Sequence, residues 1–422
     1  MHPSGDAERC PLAGVIFLIQ PQLFLTIIVL KCQVRLVEQQ CNTNYNDVMN
    51  NCKGGKNMRK YYLDNIRWIT VILVVIYHVF YMYNAEGILG GLGKITSLPV
   101  QYYDVYQYFV YPWFMPVLFL VSGCVSRIYL ERHKDREFVK SRTRKLLVPS
   151  TIGLFVFQFI QGYVSMSIGD GFLGLYEAGV PKPVIYLIMV ASGSGVLWFI
   201  HLLWLYSMAL ILLRRCEKGR LLQLGARTPI WFIPFFCIPV WGAAQILNTP
   251  IISVYRVAFY FVFFILGYYV FSNDEVIERL KNYAVVLITA GVVLCLLFSR
   301  VYFGRGANYA DKPVNRTLLF AACAYFGSLA MLSGMARFRD CSSRFTTWMS
   351  TKSFGLYVFH YLGISSVALW IAKPGILPAP ACYLLSLAAG FVFGYGLYEI
   401  ISRLPFFRWA VLGIKRGKKE NV

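Results

Sequence analysis

The sequence predicts an all-α, polytopic membrane protein with about ten core transmembrane helices. Three observations point to this fold class: 57% of the 422 residues are apolar, only 14% are charged, and long apolar runs recur from Ile66 to Ile401 with short polar breaks. A soluble domain needs roughly a quarter of its residues charged to cover its surface, so most of this chain is expected to face lipid. We therefore expect one continuous helical bundle and no separate soluble domain.

The apolar runs define the individual helices. Each run of roughly 17 to 22 residues is long enough to cross about 30 Å of hydrocarbon as a helix. In the long run 185–213 only the second half is the span, and the Gly- and Pro-rich segment from Gly169 to Gly195 is predicted to be an irregular connector. We place the spans near residues 66–84, 105–126, 146–166, 185–213, 229–247, 253–272, 283–302, 315–335, 353–372 and 381–402.

Basic residues indicate the orientation of the bundle. They concentrate after the second, fourth, sixth and eighth spans and in the tail, as expected for cytoplasmic loops. Both ends of the core are therefore predicted to be cytoplasmic, in a multi-pass protein of a cell membrane, expected to be the bacterial plasma membrane. Nucleic-acid binding is not predicted from the net charge of +21, because the basic residues are not interleaved with aromatic residues on one face.

The first 57 residues differ from the rest of the chain. An apolar stretch at 12–30 is broken by Gln-Pro-Gln, and a polar segment follows it. It is either an extra span or signal-like segment, or a region upstream of the true start. We favour the second interpretation, because Met58 and two basic residues directly precede the first strong span. The expected division is a poorly defined extension at 1–57 and a transmembrane domain at 58–422.

The eleven cysteines do not predict a metal site. They are scattered, with no C-x-x-C pair and no Cys/His spacing that suits zinc. We expect them to pack as small apolar residues. Neither a metal nor a tightly bound cofactor is therefore predicted.

Three histidines, His78, His201 and His360, lie in or beside apolar spans, where an ionisable side chain is costly unless it faces an interior cavity. Arg67 and His78 are spaced to lie within about 20° of one helix face, roughly 16 Å apart along its axis, and could line one channel for a long anionic molecule. Asp64, one turn before Arg67, could orient its guanidinium. For each histidine, a structural hydrogen bond to a neighbouring helix is the alternative.

Further polar residues lie in the penultimate span. Ser353, Tyr357 and His360 recur on one helical face, which suits either substrate binding or a hydrogen-bond network between helices. Arg256 and Glu399 are charges in or beside apolar runs, and the sequence does not pair them.

Specific segments resemble a known family. The segment Tyr61-Tyr-Leu-Asp-Asn-Ile-Arg67, with the Arg-x10-His spacing to His78, resembles the first-helix signature of the acyltransferase 3 family. The basic turn at 138–149 is similar to the family's Arg-rich turn before its third helix, with Lys145 where an arginine is usual, which keeps the charge but loses the bidentate geometry. Weaker similarities lie at 197–201, 263–268 and 353–360. The resemblance spans about 61–403.

The resemblance implies a membrane-embedded O-acyltransferase. Its co-substrate would be cytoplasmic acyl-CoA, and its acceptor a hydroxyl of a cell-envelope glycan or related molecule presented from the outer face, with acetyl and succinyl as the expected acyl groups. His78 would be the general base and Arg67 would hold the donor. The remaining roles would fall to two sets: CoA-phosphate binding by Arg142, Arg144 and Lys145, and support by Asp64, Ser353, Tyr357, His360 and His201.

Two alternatives stay open at this point. The basic turn could serve topology alone. The whole protein could be a multi-pass transporter or flippase for a glycan or lipid that uses the same histidines as proton-coupled gates.

Overall fold

The computed structural model describes residues 59–85, 90–246 and 256–415. The described chain divides into a large unit, residues 60–340 and 348–415, and a small unit of which residues 59 and 341–347 are described. In the small unit, the backbone N–H of Ser343 donates to Oγ1 of Thr346 (2.8 Å). The expected extension at 1–57 lies outside the described residues and stays a prediction.

The described residues form helices joined by turns. The α-helices, in chain order, are α1 (Tyr61–Met82), α2 (Val105–Leu130), α3 (Asp135–Arg142), α4 (Val148–Gly153), α5 (Phe159–Ile168), α6 (Gly171–Glu177), α7 (Lys182–Ser192), α8 (Trp198–Glu217), α9 (Arg220–Ala226), α10 (Cys237–Ala244), α11 (Val257–Tyr269), α12 (Asp274–Asn282), α13 (Ala284–Tyr302), α14 (Lys312–Asn315), α15 (Leu318–Phe338), α16 (Arg344–Val367), α17 (Ala379–Arg403) and α18 (Pro405–Leu412). Short 3₁₀ segments occur at Tyr102–Asp104, Gly195–Leu197 and Ile230–Phe236, and π-helical turns at Thr143–Leu147, Leu154–Gln158 and Ala368–Ala372.

The helices agree with the predicted number of spans. Among the described residues, eight helical stretches are long and apolar enough to cross a membrane, and the number rises to ten if each of two bent helix pairs is counted as one span. The bent pairs occur where the fifth and sixth spans were predicted: Arg220–Ala226 turns by 120° into Ile230–Ala244, and Val257–Tyr269 turns by 103° into Asp274–Asn282. The all-helical membrane fold is thus confirmed, while the cytoplasmic location of its ends stays a prediction.

The connector predicted to be irregular is mostly helical, so that prediction was wrong. Residues 169–195 contain α6 and α7. Gly171 begins α6, Pro183 lies in the first turn of α7, and Gly193 follows its end. Proline at a helix start and glycine just after a helix end are compatible with helices, so these residues marked helix boundaries rather than an irregular segment.

The interior of the bundle centres on α2 and α16. In the spans that contain them, 72% and 78% of the most apolar window is buried, against 33% for α13 and 22% for α17. Helices α13 and α17 expose apolar side chains, which fits contact with lipid. Glycines allow α2 and α11 to pack closely: a Cβ on Gly123 would collide with the Phe264 carbonyl, and one on Gly267 with the Leu120 carbonyl.

Helix α1 carries Arg67 and His78 and is fixed at its start. The backbone N–H of Tyr62 donates to the carboxylate of Asp340 (3.0 Å), and Nδ2 of Asn65 donates to the carbonyl of Arg339 (2.8 Å). These bonds join the start of α1 to the end of α15. Because a helix start has backbone N–H groups without partners inside the helix, the Asp340 contact also caps α1.

Candidate active site

A basic cavity opens beside the first half of α1. Its volume is about 440 Å³, and α1, α2, α3, α8, α16 and α18 contribute to its walls. Its described lining includes cations and no carboxylate, an electrostatic environment that favours anions. The cations are Arg67, Arg142, Arg144, Lys145 and Lys415.

Two of the cations, Arg142 and Arg144, are held by neutral groups. Nη2 of Arg142 donates to Oγ of Ser126 (3.0 Å), and its guanidinium lies 5.0 Å from the centre of the Phe138 ring. Nε of Arg144 donates to the carbonyl of Gly413 (3.2 Å). In the described chain, neither guanidinium pairs with a carboxylate. Their charge therefore remains available to a ligand.

Arg67 is fixed differently from the other two arginines. Its Nη1 lies 3.7 Å from the carboxylate of Asp64, one turn earlier on α1. The sequence had suggested this pairing from the i, i+3 spacing. The side chain of Arg67 remains 47% exposed, so the ion pair leaves room for a second anionic partner.

Two of the cavity residues owe their positions to local structure. The π-helical turn Thr143–Leu147 carries Arg144 and Lys145 between α3 and α4, and π turns of this kind are frequent at functional sites. Lys415 follows α18 and was missed by the sequence analysis, which assigned the basic tail to topology. A basic residue just after an apolar helix was its only sequence signal.

Helix α16 forms the opposite wall with Ser353 and Tyr357. Oγ of Ser353 donates to the carbonyl of Ser350 (2.9 Å). The Tyr357 hydroxyl donates to the carbonyl of Val196. The predicted polar face of this helix thus borders the same cavity as Arg67 and the basic turn.

His78 and His360 form a contacting pair deeper in the bundle. Nε2 of His360 lies 3.1 Å from Nδ1 of His78, and the two ring centres are 5.0 Å apart. His360 is fully buried, whereas His78 is half-buried. The sequence placed both histidines in spans but did not pair them, because 282 residues separate them.

Hydrogen-bond partners assign the proton positions in this pair. Nδ1 of His360 lies 3.0 Å from the Leu356 carbonyl and 2.9 Å from the Tyr357 carbonyl, and since carbonyls only accept, this nitrogen carries the proton. Its Nε2 is then an acceptor in the neutral ring. Nδ1 of His78 therefore donates, both to His360 and to the Val74 carbonyl at 2.8 Å. Nε2 of His78 is left with its lone pair, as a general base requires.

The pair is not among the residues that line the basic cavity, and the expectation that Arg67 and His78 line one channel stays a prediction. On α1 the cavity reaches Val71, two turns before His78, and on α16 it reaches Tyr357, one turn before His360. The Tyr357 ring centre lies 6.5 Å from that of His360. Tyr357 therefore touches the cavity on one side and the histidine pair on the other.

The remaining predicted residues lie elsewhere. Nε2 of His201 donates to the Ser150 carbonyl (2.7 Å), and this histidine lines neither the cavity nor the pair. Glu399 forms an ion pair with Lys352 and lies 3.8 Å from Arg403. Arg256 contacts the Tyr111 hydroxyl (2.7 Å).

Tyrosines surround the His78 ring. The ring centres of Tyr77, Tyr81 and Tyr361 lie 5.3, 5.9 and 5.2 Å from that of His78. The Tyr77 hydroxyl lies 3.1 Å from the Tyr309 hydroxyl, to which Nε2 of Gln107 donates (2.8 Å). Aromatic faces with hydroxyl and amide groups suit a polar organic molecule such as a sugar. The sequence does not single out these tyrosines, because tyrosine is common in the chain.

Comparisons with known proteins add independent observations. The profile of a family described as an acyltransferase domain matches residues 60–399. Two curated relatives, both named glucans biosynthesis protein C, come from Escherichia coli O139:H28 (strain E24377A / ETEC) and Escherichia coli (strain SMS-3-5 / SECEC). Each is 22% identical to this chain, over 86% of this chain and 97% of the relative. No solved structure matches the chain.

Proposed function

Because the chain belongs to the acyltransferase 3 family and is a multi-pass membrane acyltransferase, we propose that it moves a small acyl group from cytoplasmic acyl-CoA to a hydroxyl of a cell-envelope glycan. The acyl group is acetyl or succinyl, and the protein lies in the bacterial plasma membrane with the basic cavity on the cytoplasmic side. The observation that carries this proposal is the His78–His360 pair, which leaves a basic nitrogen one to two helical turns beyond a cation-lined cavity.

The cavity suits the donor. CoA carries several phosphates, and five cations without a carboxylate among the described lining residues attract such a ligand. Arg67 is the cavity cation that lies on the same helix as His78. It would therefore hold the part of the donor closest to the reacting thioester. The extended chain of CoA would then carry the acyl group past Tyr357 toward the histidine pair.

The histidine pair suits the chemical step. Nε2 of His78 takes the proton of the acceptor hydroxyl while the hydroxyl oxygen attacks the thioester carbonyl. The C–O bond forms, the tetrahedral intermediate collapses, the C–S bond breaks, and His78 returns the proton to the leaving CoA sulfur. During this step Nδ1–H of His78 donates to His360, which stabilises the transient imidazolium and fixes the orientation of the ring.

The tyrosine cluster around His78 suits the acceptor. Its hydroxyl and amide groups can bind sugar hydroxyls, and its rings can pack on a sugar face. The name of the E. coli relatives, glucans biosynthesis protein C, supports a glucan-like acceptor for this chain as well.

The test is acceptor-dependent release of CoA by the purified protein. Acetyl-CoA and succinyl-CoA are supplied separately as donors, a neutral β-glucan oligosaccharide is the acceptor, and both free thiol and sugar-bound acyl group are measured. We expect stoichiometric appearance of both products. Uptake of the oligosaccharide into liposomes without donor consumption would contradict the proposal and favour a transporter.

A further inference from the structure

Arg256 is a buried cation that the proposed reaction does not yet use. It directly precedes α11, and only 3% of its surface is exposed. Its Nη2 donates to the Tyr111 hydroxyl (2.7 Å), and its guanidinium carbon lies 5.2 Å from the ring centres of both Tyr111 and Phe320. Its Nε has no hydrogen-bond partner, and no carboxylate of the described residues pairs with it.

Such an arginine is incomplete as a purely structural group. A buried charge costs free energy unless an opposite charge or a full set of hydrogen bonds accompanies it, and this cost is larger in a membrane interior. The two aromatic rings and the hydroxyls of Tyr111 and Tyr260 beside the guanidinium offset only part of the cost, because none of them supplies a carboxylate's negative charge. The Nε–H of Arg256, which has no partner, can donate to a ligand oxygen, and a carboxylate would also neutralise the buried charge.

Its position connects Arg256 to the histidine pair. The Tyr111 ring stacks 6.0 Å from Tyr77, and Tyr77 lies edge-on to His78 at 5.3 Å. Tyr111 also lies 4.6 Å from Tyr309, whose hydroxyl contacts that of Tyr77. Two aromatic rings, those of Tyr111 and Tyr77, thus lie between Arg256 and His78, the proposed general base.

We propose that Arg256 binds a carboxylate carried by one of the substrates; the proposal rests on the acyl-transfer function stated above. Two sources share this chemistry: the distal carboxylate of a dicarboxylic acyl group such as succinyl, and an acidic sugar of the acceptor. In both cases the ion pair fixes the substrate near His78 and selects it over its neutral counterpart.

The first test measures binding without turnover. Thermal unfolding of the purified protein is followed with monomethyl succinate, dimethyl succinate, glucuronate and glucose. Arg256→Gln is compared with the wild type and with Arg300→Gln, a control that removes an exposed arginine of α13. We expect one of the two anions to raise the unfolding temperature of the wild type and of the control but not of Arg256→Gln, and the neutral compounds to have no such effect.

The responding anion identifies the source. A response to monomethyl succinate assigns the carboxylate to the acyl group, and a response to glucuronate assigns it to the acceptor. The proposal is overturned if neither anion stabilises the wild type, or if the wild type and Arg256→Gln respond equally. Should Arg256→Gln fail to fold, Arg256→Lys keeps the charge but loses the fork, and a reduced response of this variant supports the proposal whereas an undiminished one overturns it.

The second test uses turnover and separates this proposal from the proposed function. Both donors are assayed with a neutral β-glucan oligosaccharide and with one that contains glucuronate. In Arg256→Gln, kcat/KM for the carboxylate-bearing substrate should fall about 30-fold or more relative to its neutral counterpart. Equal losses for all substrates would overturn the carboxylate role while leaving acyl transfer intact. Absence of CoA release by the wild type would instead contradict the proposed function.

Discussion

Replacement of His360 by leucine tests whether the second histidine positions the first. The change removes the acceptor 3.1 Å from Nδ1 of His78 and leaves the Val74 carbonyl at 2.8 Å. A hydrogen bond to a group that becomes charged contributes about 1.5–3 kcal/mol, so kcat should fall about 10- to 150-fold. Loss of His78 itself should cost more, because general-base catalysis contributes about 10²–10⁴-fold.

The assay is the initial rate of CoA release at saturating donor and acceptor, normalised to folded protein by size-exclusion chromatography. KM for acyl-CoA should not change, because His360 does not line the basic cavity. His360→Gln, whose amide oxygen can accept the bond, should recover part of kcat. The reasoning is refuted if His360→Leu releases CoA at the wild-type rate. It is also refuted if the change only lowers the yield of folded protein and the folded protein keeps the full rate of CoA release.

Three further outcomes follow from the structure. Arg142→Ala combined with Lys145→Ala should raise KM for acyl-CoA about 100-fold, at about 1.5 kcal/mol for each lost charged contact, whereas Lys140→Ala, an exposed neighbour outside the cavity, should leave KM unchanged in the same titration. Arg67→Lys keeps the charge but loses the bidentate fork, so it should weaken donor affinity partially and leave kcat nearly intact; an equal loss in kcat would contradict a donor-binding role. Gly267→Ala should lower the free energy of unfolding by about 1–3 kcal/mol because its Cβ meets the Leu120 carbonyl, and an unchanged thermal transition would refute that packing.

Helix positions could be predicted because a membrane span has a fixed length. The α1, α13 and α15 helices agree closely with apolar runs in the sequence. The two bent pairs could not be predicted in this way, since hydropathy reports the apolar length of a run and not its direction. Pro229, between α9 and the following 3₁₀ segment, was a local signal for one of the bends.

Parts of the site could also be predicted, because periodicity places residues on one helix face. The spacing of Ser353, Tyr357 and His360 predicted a polar face of α16, and the structure places the first two on the cavity and the third beside His78. Which residues of other helices meet this polar face depends on packing between segments that are distant in the chain, and no local sequence pattern determines that packing. For the same reason the sequence did not predict the partners of Arg256 and Glu399. Arg256 contacts Tyr111, and Glu399 pairs with Lys352.

The central claim is that His78 is the base of an acyl transfer. It is tested most directly by acceptor-dependent CoA release from purified wild type and His78→Ala, at saturating substrates and equal amounts of folded protein. The account predicts that the wild type releases CoA and acylates the sugar, and that His78→Ala loses turnover by about 10²–10⁴-fold with an unchanged unfolding temperature. A His78→Ala protein that keeps the wild-type rate would contradict the account.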